Sequence, residues 1–278
     1  MKILVSYRGI PHAPGFEIGA GVARGFRQLG HEVQCYGNVY QSRERIPGSI
    51  FTRPSLMQID NWGPELLAWV ECNDQDPQYT ELFKLTCPKV MWDFDTAMNP
   101  TKTAAIVAGL KPDILCLGNA EYLGSKWPGA KKTIHLPFGA DPLLFRPGNG
   151  PRSGVGMIGT SFPARDAFCK RAGIELLQAY GQDYVNILQR LRLHLHHTTT
   201  AGDGLLVTRN FETLAAGCGL VTKDTPEVRR YFDNCDHLWL YKDDDHAIEI
   251  IRSLMRSEHD EEVARVAQAG RDLVMARH

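Results

Sequence analysis

Leu205 to Thr222, LLVTRNFETLAAGCGLVT, is the stretch whose reading decides the fold. Leu205 to Thr208 reads as a strand, Arg209-Asn210-Phe211-Glu212 opens a helix, Gly217 and Gly219 end it, and a second strand follows. Strand, helix and strand in this order form the repeating unit of a parallel α/β sheet. Glu212 is thereby delivered near a helix N-terminus, where the helix dipole favours a carboxylate, with Asn210 as its cap.

The same alternation runs outward in both directions. Ile3 to Tyr7 reads as a buried strand, and Ile18, Val22, Phe26 and Leu29 recur at helical spacing up to Gly30. His31-Glu32-Val33 leads into another strand, followed by Lys89 to Trp92, a helix over Thr101 to Leu110, then Ile114 to Leu117 and Thr133 to Leu136. Ala140 to Gly154, ADPLLFRPGNGPRSG, interrupts the pattern with its Pro and Gly and marks a boundary. Beyond it Val155 to Ile158 restarts as a strand, Ala164 to Tyr180 carries a helical pattern, and Asp260 to Ala276 is an amphipathic helix. The expectation is two α/β domains, 1–145 and 154–278, with parallel sheets facing a cleft in which the ligand sits.

Composition narrows the class. With 43% apolar and 23% charged residues and a net charge of −1, the 278-residue chain is that of an ordinary globular protein, not a generic nucleic-acid binder. The N-terminal run MKILVSY fits a first strand better than a signal peptide, and no apolar stretch approaches a membrane span, so the expected place is cytoplasmic. Seven cysteines without a C-x-x-C pair argue for free buried thiols over a disulfide framework or a structural zinc site. Charge is uneven along the chain: residues 1–53 hold seven Lys or Arg against three Glu. A solvated basic face explains this more simply than an anionic partner does.

The pattern R-x-F-E-x-x-A-x-G-x-x-x-x-T over Arg209 to Thr222 is similar to the donor-binding segment of GT-B glycosyltransferases, particularly the group that includes spore-maturation-type proteins. Leu136 to Asp141 with Phe145-Arg146-Pro147, Met157 to Ser161 with Arg165, and Pro226-Glu227-Val228, Phe232 and Tyr241 follow in the order usual for that group. The resemblance implies a GT-B fold of two Rossmann-like domains and transfer of a sugar from a nucleotide sugar, UDP- or GDP-linked, to a hydroxyl acceptor. It implies that Glu212 grips the ribose while Arg209, Arg165 and helix N-termini face the diphosphate, with Asn210 and Phe211 in the same segment. The chemistry suits these residues, since a carboxylate accepts from two hydroxyls and guanidinium and backbone N–H groups neutralise phosphate. Lys170 is spaced like the second member of a basic pair, although it diverges from Arg165 around a helix.

Retaining relatives carry an earlier Glu where this chain has Gly204; Asp203 and the Gly204 backbone are then the groups expected near the sugar. The loop Gly9 to Gly15 lacks G-x-G-x-x-G, but its place after the first strand makes Gly15 a donor-side and His12 an acceptor-side candidate, the latter as base. Asp93-Phe94-Asp95 has the spacing of a metal-binding D-x-D. No metal is required on the GT-B reading, and Asp95 is taken as an acceptor-side or helix-capping group. In LRLHLHH, His194 and His196 alternate with leucines as if on the outer face of a half-buried strand; a zinc pair is the weaker reading, and Asp243 to Asp245 opens a helix.

Three readings follow: a metal-independent glycosyltransferase acting on a glycan or small molecule without a tightly bound cofactor, a phage-type enzyme acting on hydroxylated bases of modified DNA, and a non-catalytic nucleotide- or sugar-binding scaffold.

Overall fold

A computed structural model describes residues 1–9, 13, 15–37, 56–70, 80–94, 96, 99–197 and 206–278. By contacts the chain divides into two units, Met1–Pro137 and Phe138–His278.

The first unit holds a six-stranded parallel sheet of β1 (Lys2–Tyr7), β2 (Glu32–Tyr36), β3 (Leu66–Val70), β4 (Lys89–Asp93), β5 (Ile114–Leu117) and β6 (Lys132–His135), in the order β2-β1-β3-β4-β5-β6. Helices α1 (Ile18–Gln28), α2 (Leu56–Trp62) and α3 (Pro100–Leu110) accompany it. Ile3, Leu4, Val5 and Leu67 are fully buried, as expected when both faces of a parallel sheet are covered. The cap of α3 is Asn99, whose side chain accepts from the Lys102 N–H, and Pro100 follows at the first helical position. That capping role was expected of Asp95, which lies outside the described residues.

The second unit contains β7 (Ser153–Ile158), β8 (Glu175–Leu177), β9 (Leu191–His196), β10 (Gly219–Lys223) and β11 (Trp239–Tyr241), all parallel, in the order β11-β10-β9-β7-β8. Its helices are α4 (Pro163–Ala172), α5 (Gly181–Arg190), α6 (Thr208–Ala215), α7 (Pro226–Arg229), α8 (Asp244–Leu254) and α9 (Asp260–Arg277). Met157, Phe168, Leu193, Leu195, Val221 and Trp239 are central to its apolar core. Residues 138–150 pack with this unit, Phe138 beside Phe211 and Phe145 edge-on to Tyr184, so the division falls ahead of the Pro/Gly-rich stretch.

Several sequence expectations need correcting. Leu206 and Val207 are not a strand; α6 starts at Thr208, and the strand before it is β9, reached across residues 198–205, which lie outside the described residues. The helical pattern expected over Ala164 to Tyr180 stops at Ala172, because Gly173 turns left-handed at φ 69° and β8 follows. His194 and His196 do not face solvent: they are 0% and 5% exposed, since helices cover both faces of β9. Asn210 does not cap α6, whose cap position is Val207 with no side-chain hydrogen bond.

Gly217 ends α6 as expected, and the geometry shows why. Its N–H donates to Leu214 O at 2.8 Å and that of Cys218 to Thr213 O at 3.1 Å, the paired bonds of a Schellman motif, with Gly217 at φ 69°. Gly219 belongs instead to β10. A Cβ there would stand 2.8 Å from a Leu193 methyl, so its smallness lets β10 close on β9. Among the described residues no helix is long and apolar enough to cross a membrane.

Candidate donor-binding site

In a doubly wound sheet, ligands bind beyond the carboxyl ends of the strands where the strand order reverses. In the second unit that point lies between β7, the first strand, and β9, because β8 is placed on the other side of β7. Arg165, three residues into α4, spans this point. Its Nη1 donates to Thr160 O at 2.6 Å, just beyond β7, and its Nη2 to His197 O at 2.9 Å, just beyond β9. Its Nε is buried without a partner, and its guanidinium lies over the exposed Phe162 ring at 5.5 Å.

Arg209 reaches the same place from α6. Gly159 lies beneath both guanidinium groups: a Cβ there would be 2.8 Å from Arg165 Nη1 and 3.8 Å from Arg209 Nη1. Any larger residue at 159 would push the pair apart. Burial first, and then the charge of Arg209, hold Arg165 below its ordinary pKa. Among the described residues neither arginine has a salt-bridge partner, unlike Arg171, Arg192 and Arg229 in the same unit. The first turn of α6 carries no acid, and Arg209 sits there in opposition to the helix dipole. Converging cations beside an uncapped helix N-terminus, at a switch point, suit a multiply charged anion.

Glu212 follows Arg209 by three residues, on the same side of α6. It is partly buried, and its Oε2 accepts from the Tyr184 hydroxyl of α5 at 3.1 Å. Burial pushes its pKa up to about 7, against the opposing pull of Arg209 and of the tyrosine hydrogen bond. The carboxyl is therefore poised between its acid and carboxylate forms near neutrality.

The other residues expected here separate. Asn210 is fully buried and donates to Thr222 Oγ1 at 3.5 Å, towards the sheet. Phe211, also fully buried, packs among Phe138, Phe232 and His278. Consecutive helical residues point about 100° apart, so the four residues Arg209 to Glu212 cannot share one ligand. Lys170 is exposed in the last turn of α4 and takes no part. Gly15, expected on the donor side, belongs to the first unit, where its N–H is already taken by Glu17 Oε2 at 2.6 Å. His12, Asp95, Asp203 and Gly204 lie outside the described residues. Asp93 is 1% exposed and accepts from the Thr96 and Thr103 hydroxyls at 2.6 and 2.7 Å, a structural anchor. Among the described residues no cluster of His, Cys, Asp or Glu could hold a metal ion.

Sequence reasoning did not find Tyr184, whose hydroxyl meets Glu212. It belongs to the buried stripe of amphipathic α5, with Val185 and Leu188, and no local motif distinguishes it from a core aromatic.

Residues 164–278 match a family model described as glycosyl transferase-like. No curated protein sequence matches the chain. Among solved structures, Anabaena HepE in complex with UDP-glucose superposes with a TM-score of 0.67 at 13% identity, over 100% of this chain and 95% of that one. A sucrose-phosphate synthase from Thermosynechococcus elongatus gives 0.65 at 10% identity over 99% and 94%. An alpha-glucosyltransferase in complex with UDP and a mismatched DNA 13-mer gives 0.59 at 13% over 96% and 94%. Residues 164–278 thus form a glycosyl transferase-like segment, within a chain that has the GT-B fold.

Proposed function

We propose that the protein is a glycosyltransferase that binds a nucleotide-sugar donor in its second unit and transfers the sugar, a hexose, to a hydroxyl acceptor. The observation that carries this reading is the convergence of Arg165 and Arg209 over Gly159, with Glu212 three residues further along α6. In it the guanidinium groups hold the diphosphate and stabilise the charge that develops on it as the glycosidic bond breaks. Glu212, as a carboxylate, accepts from the ribose hydroxyls. The donor is a UDP-sugar, in line with the UDP and UDP-glucose of two structures that share the fold. Positive charge from the arginine pair serves the leaving diphosphate without a metal ion. Within the fold, the order of motifs supports a likeness to the spore-maturation-like group. For the sugar itself, the Asp203-Gly204 segment is the nearest candidate in sequence, and His12 and Asp95 are the acceptor-side candidates.

The test is a thermal-shift screen against UDP, GDP, ADP and their sugar conjugates, with and without Mn²⁺. A ligand at a hundred times its dissociation constant adds about 2.7 kcal/mol to stability, so a bound donor raises the melting temperature by several degrees. The expected result is a selective rise with UDP or UDP-glucose that needs no Mn²⁺ and is largely lost in Glu212→Ala. A rise with none of the nucleotides would sink the proposal. Acceptor chemistry is read separately: stimulation of donor turnover by DNA with hydroxylated bases, falling steeply with salt, would favour the DNA-modifying reading over a glycan or small-molecule acceptor.

A further inference from the structure

Two motifs that donor binding does not use, the histidines of LRLHLHH and the acids Asp243 to Asp245, meet behind Arg165. β9 ends at His196, whose pairing with Thr222 closes the ladder to β10. The carbonyl of His197 therefore lies past the sheet, yet it is this oxygen that accepts from Arg165 Nη2 at 2.9 Å. With the ladder ended, its direction is set through the side chain. The His197 ring stacks on Phe168 of α4 with centroids 4.7 Å apart, lies within 9° of parallel to Tyr241 on β11, and brings Nε2 to 3.0 Å from Asp244 Oδ1 on α8. Three elements thus hold one side chain that is 11% exposed.

A carboxylate oxygen only accepts, so the ring carries a proton on Nε2 and donates it to Asp244. Its Nδ1 is buried without a partner. An apolar side chain would fill the space between the two aromatic rings without stranding a nitrogen there, so the bond to Asp244 is what the imidazole adds. Asp244 is itself steadied, since its other oxygen lies 3.4 Å from Arg171 Nη2 on α4. Arg165 and Phe168 are three residues apart on that helix and share a face. α4 therefore meets His197 twice, at the carbonyl and at the ring. A shift of the ring away from Asp244 carries the carbonyl of the same residue with it.

We propose that His197 and Asp244 form a positioning pair that seats Arg165, fixing the His197 carbonyl so that the guanidinium is held in place for the donor diphosphate. Both residues act through Arg165, and neither touches the donor. The proposal rests on the reading of Arg165 as a ligand of the diphosphate. It confines the pair to one part of the donor: binding of the phosphates should feel its loss, and binding of the nucleoside should not.

The test titrates UDP and uridine separately into wild type and variants, and follows hydrogen exchange of the Arg165 guanidinium protons by NMR in the ligand-free protein. His197→Phe keeps a ring between Phe168 and Tyr241 but loses Nε2. It is expected to weaken UDP binding by about tenfold, as befits one hydrogen bond to a charged group, and to leave uridine binding unchanged. The Arg165 protons should exchange faster in it. Asp244→Ala, at a side chain 45% exposed, should do the same. The double variant should bind UDP no more weakly than either single one, because both break one contact. His197→Gln, which can present an N–H to Asp244, should restore most of the affinity. Unchanged Arg165 exchange in both single variants, equal losses for UDP and uridine, or additive losses in the double variant overturn the pair. If Arg165 exchange quickens in the variants while Arg165→Ala binds UDP as wild type does, the seat stands and the diphosphate reading of Arg165 falls.

Discussion

The two units share a strand order, a second strand outside the first and the rest following on the other side, yet their helix starts there differ: a buried acid stands at the start of α1, and a pair of arginines converges from α4 and α6. In the first unit the loop after β1 returns into α1 at Glu17, a residue 5% exposed whose carboxylate takes the Gly15 N–H. Acid already stands where that helix would receive an anion, and Asp93 at the end of β4 is closed off by two threonine hydroxyls. In the second unit no side chain caps α4 or α6, and Arg165 and Arg209 occupy the same topological position. One topology is therefore made self-satisfied in the first case and left electrostatically unsatisfied in the second. Stability is what the first arrangement gains; on the proposed function the second gives up some of it for affinity towards a charged ligand.

The largest effect should come from breaking the unsatisfied side. On the proposed function Arg209→Ala removes a cation from the donor diphosphate and is expected to lower donor turnover by about a hundredfold or more, as losing one preorganised charge-stabilising group does. It also removes repulsion with Arg165 and a positive charge at a helix N-terminus, so the melting temperature should hold or rise by the equivalent of about 0.3–1 kcal/mol. Kinetics and a thermal melt on the same variant check both parts. A large fall in melting temperature would mean that Arg209 is a structural residue and that the contrast between the units is misjudged.

The mirror-image experiment is Asp93→Ala in the first unit. It strands two buried hydroxyl groups and should cost about 1–3 kcal/mol in chemical denaturation, with UDP affinity unchanged. If donor affinity fell as far as stability did, Asp93 would be working on the donor and the metal-binding reading of Asp93 and Asp95 would return.

This contrast was only partly legible in the sequence. The alternation of strands and helices is written locally, in runs such as Ile114 to Leu117 that reproduce β5, and the Gly-terminated α6 is readable from its spacing. Arg165, Arg209 and Glu212 were reachable because a motif keeps them in order. What escaped was set by tertiary burial. The His194 and His196 alternation has the period of a half-exposed strand, but a central parallel strand is covered on both faces, so the period says nothing about solvent. Asn210 has the composition of a cap and the position of a third helical residue, because α6 begins three residues earlier than a cap at Asn210 would require. The five-residue β3, LLAWV, and the three-residue β8, ELL, are too short for period alone to separate strand from helix. Tyr184 meets Glu212 across 28 residues of sequence, a pairing with no local trace.

The last expected effect is read as a slope, not as a loss, and concerns pH, where buried groups of the second unit oppose one another. His194 titrates near 3 in the folded chain against 6.5 when exposed, and His196 is lowered as well, both chiefly by burial. The unfolded chain therefore binds more protons than the folded one below pH 6.5, and these histidines withdraw stability as pH falls. Glu212 does the reverse. Raised to about 7 from 4.5, it holds its proton in the folded state after the unfolded chain has lost it, so the stability it contributes at low pH is lost as pH rises from 4.5 through 7. Each proton of difference changes stability by about 1.4 kcal/mol per pH unit. In Glu212→Gln only the histidine contribution remains. The difference between wild type and variant should favour wild type at pH 4.5 and move steadily towards the variant as pH reaches 7, as read from amide hydrogen exchange along β9 and β10. A pH-independent difference would show that Glu212 titrates alike in both states, the charge of Arg209 and the Tyr184 hydrogen bond balancing its burial.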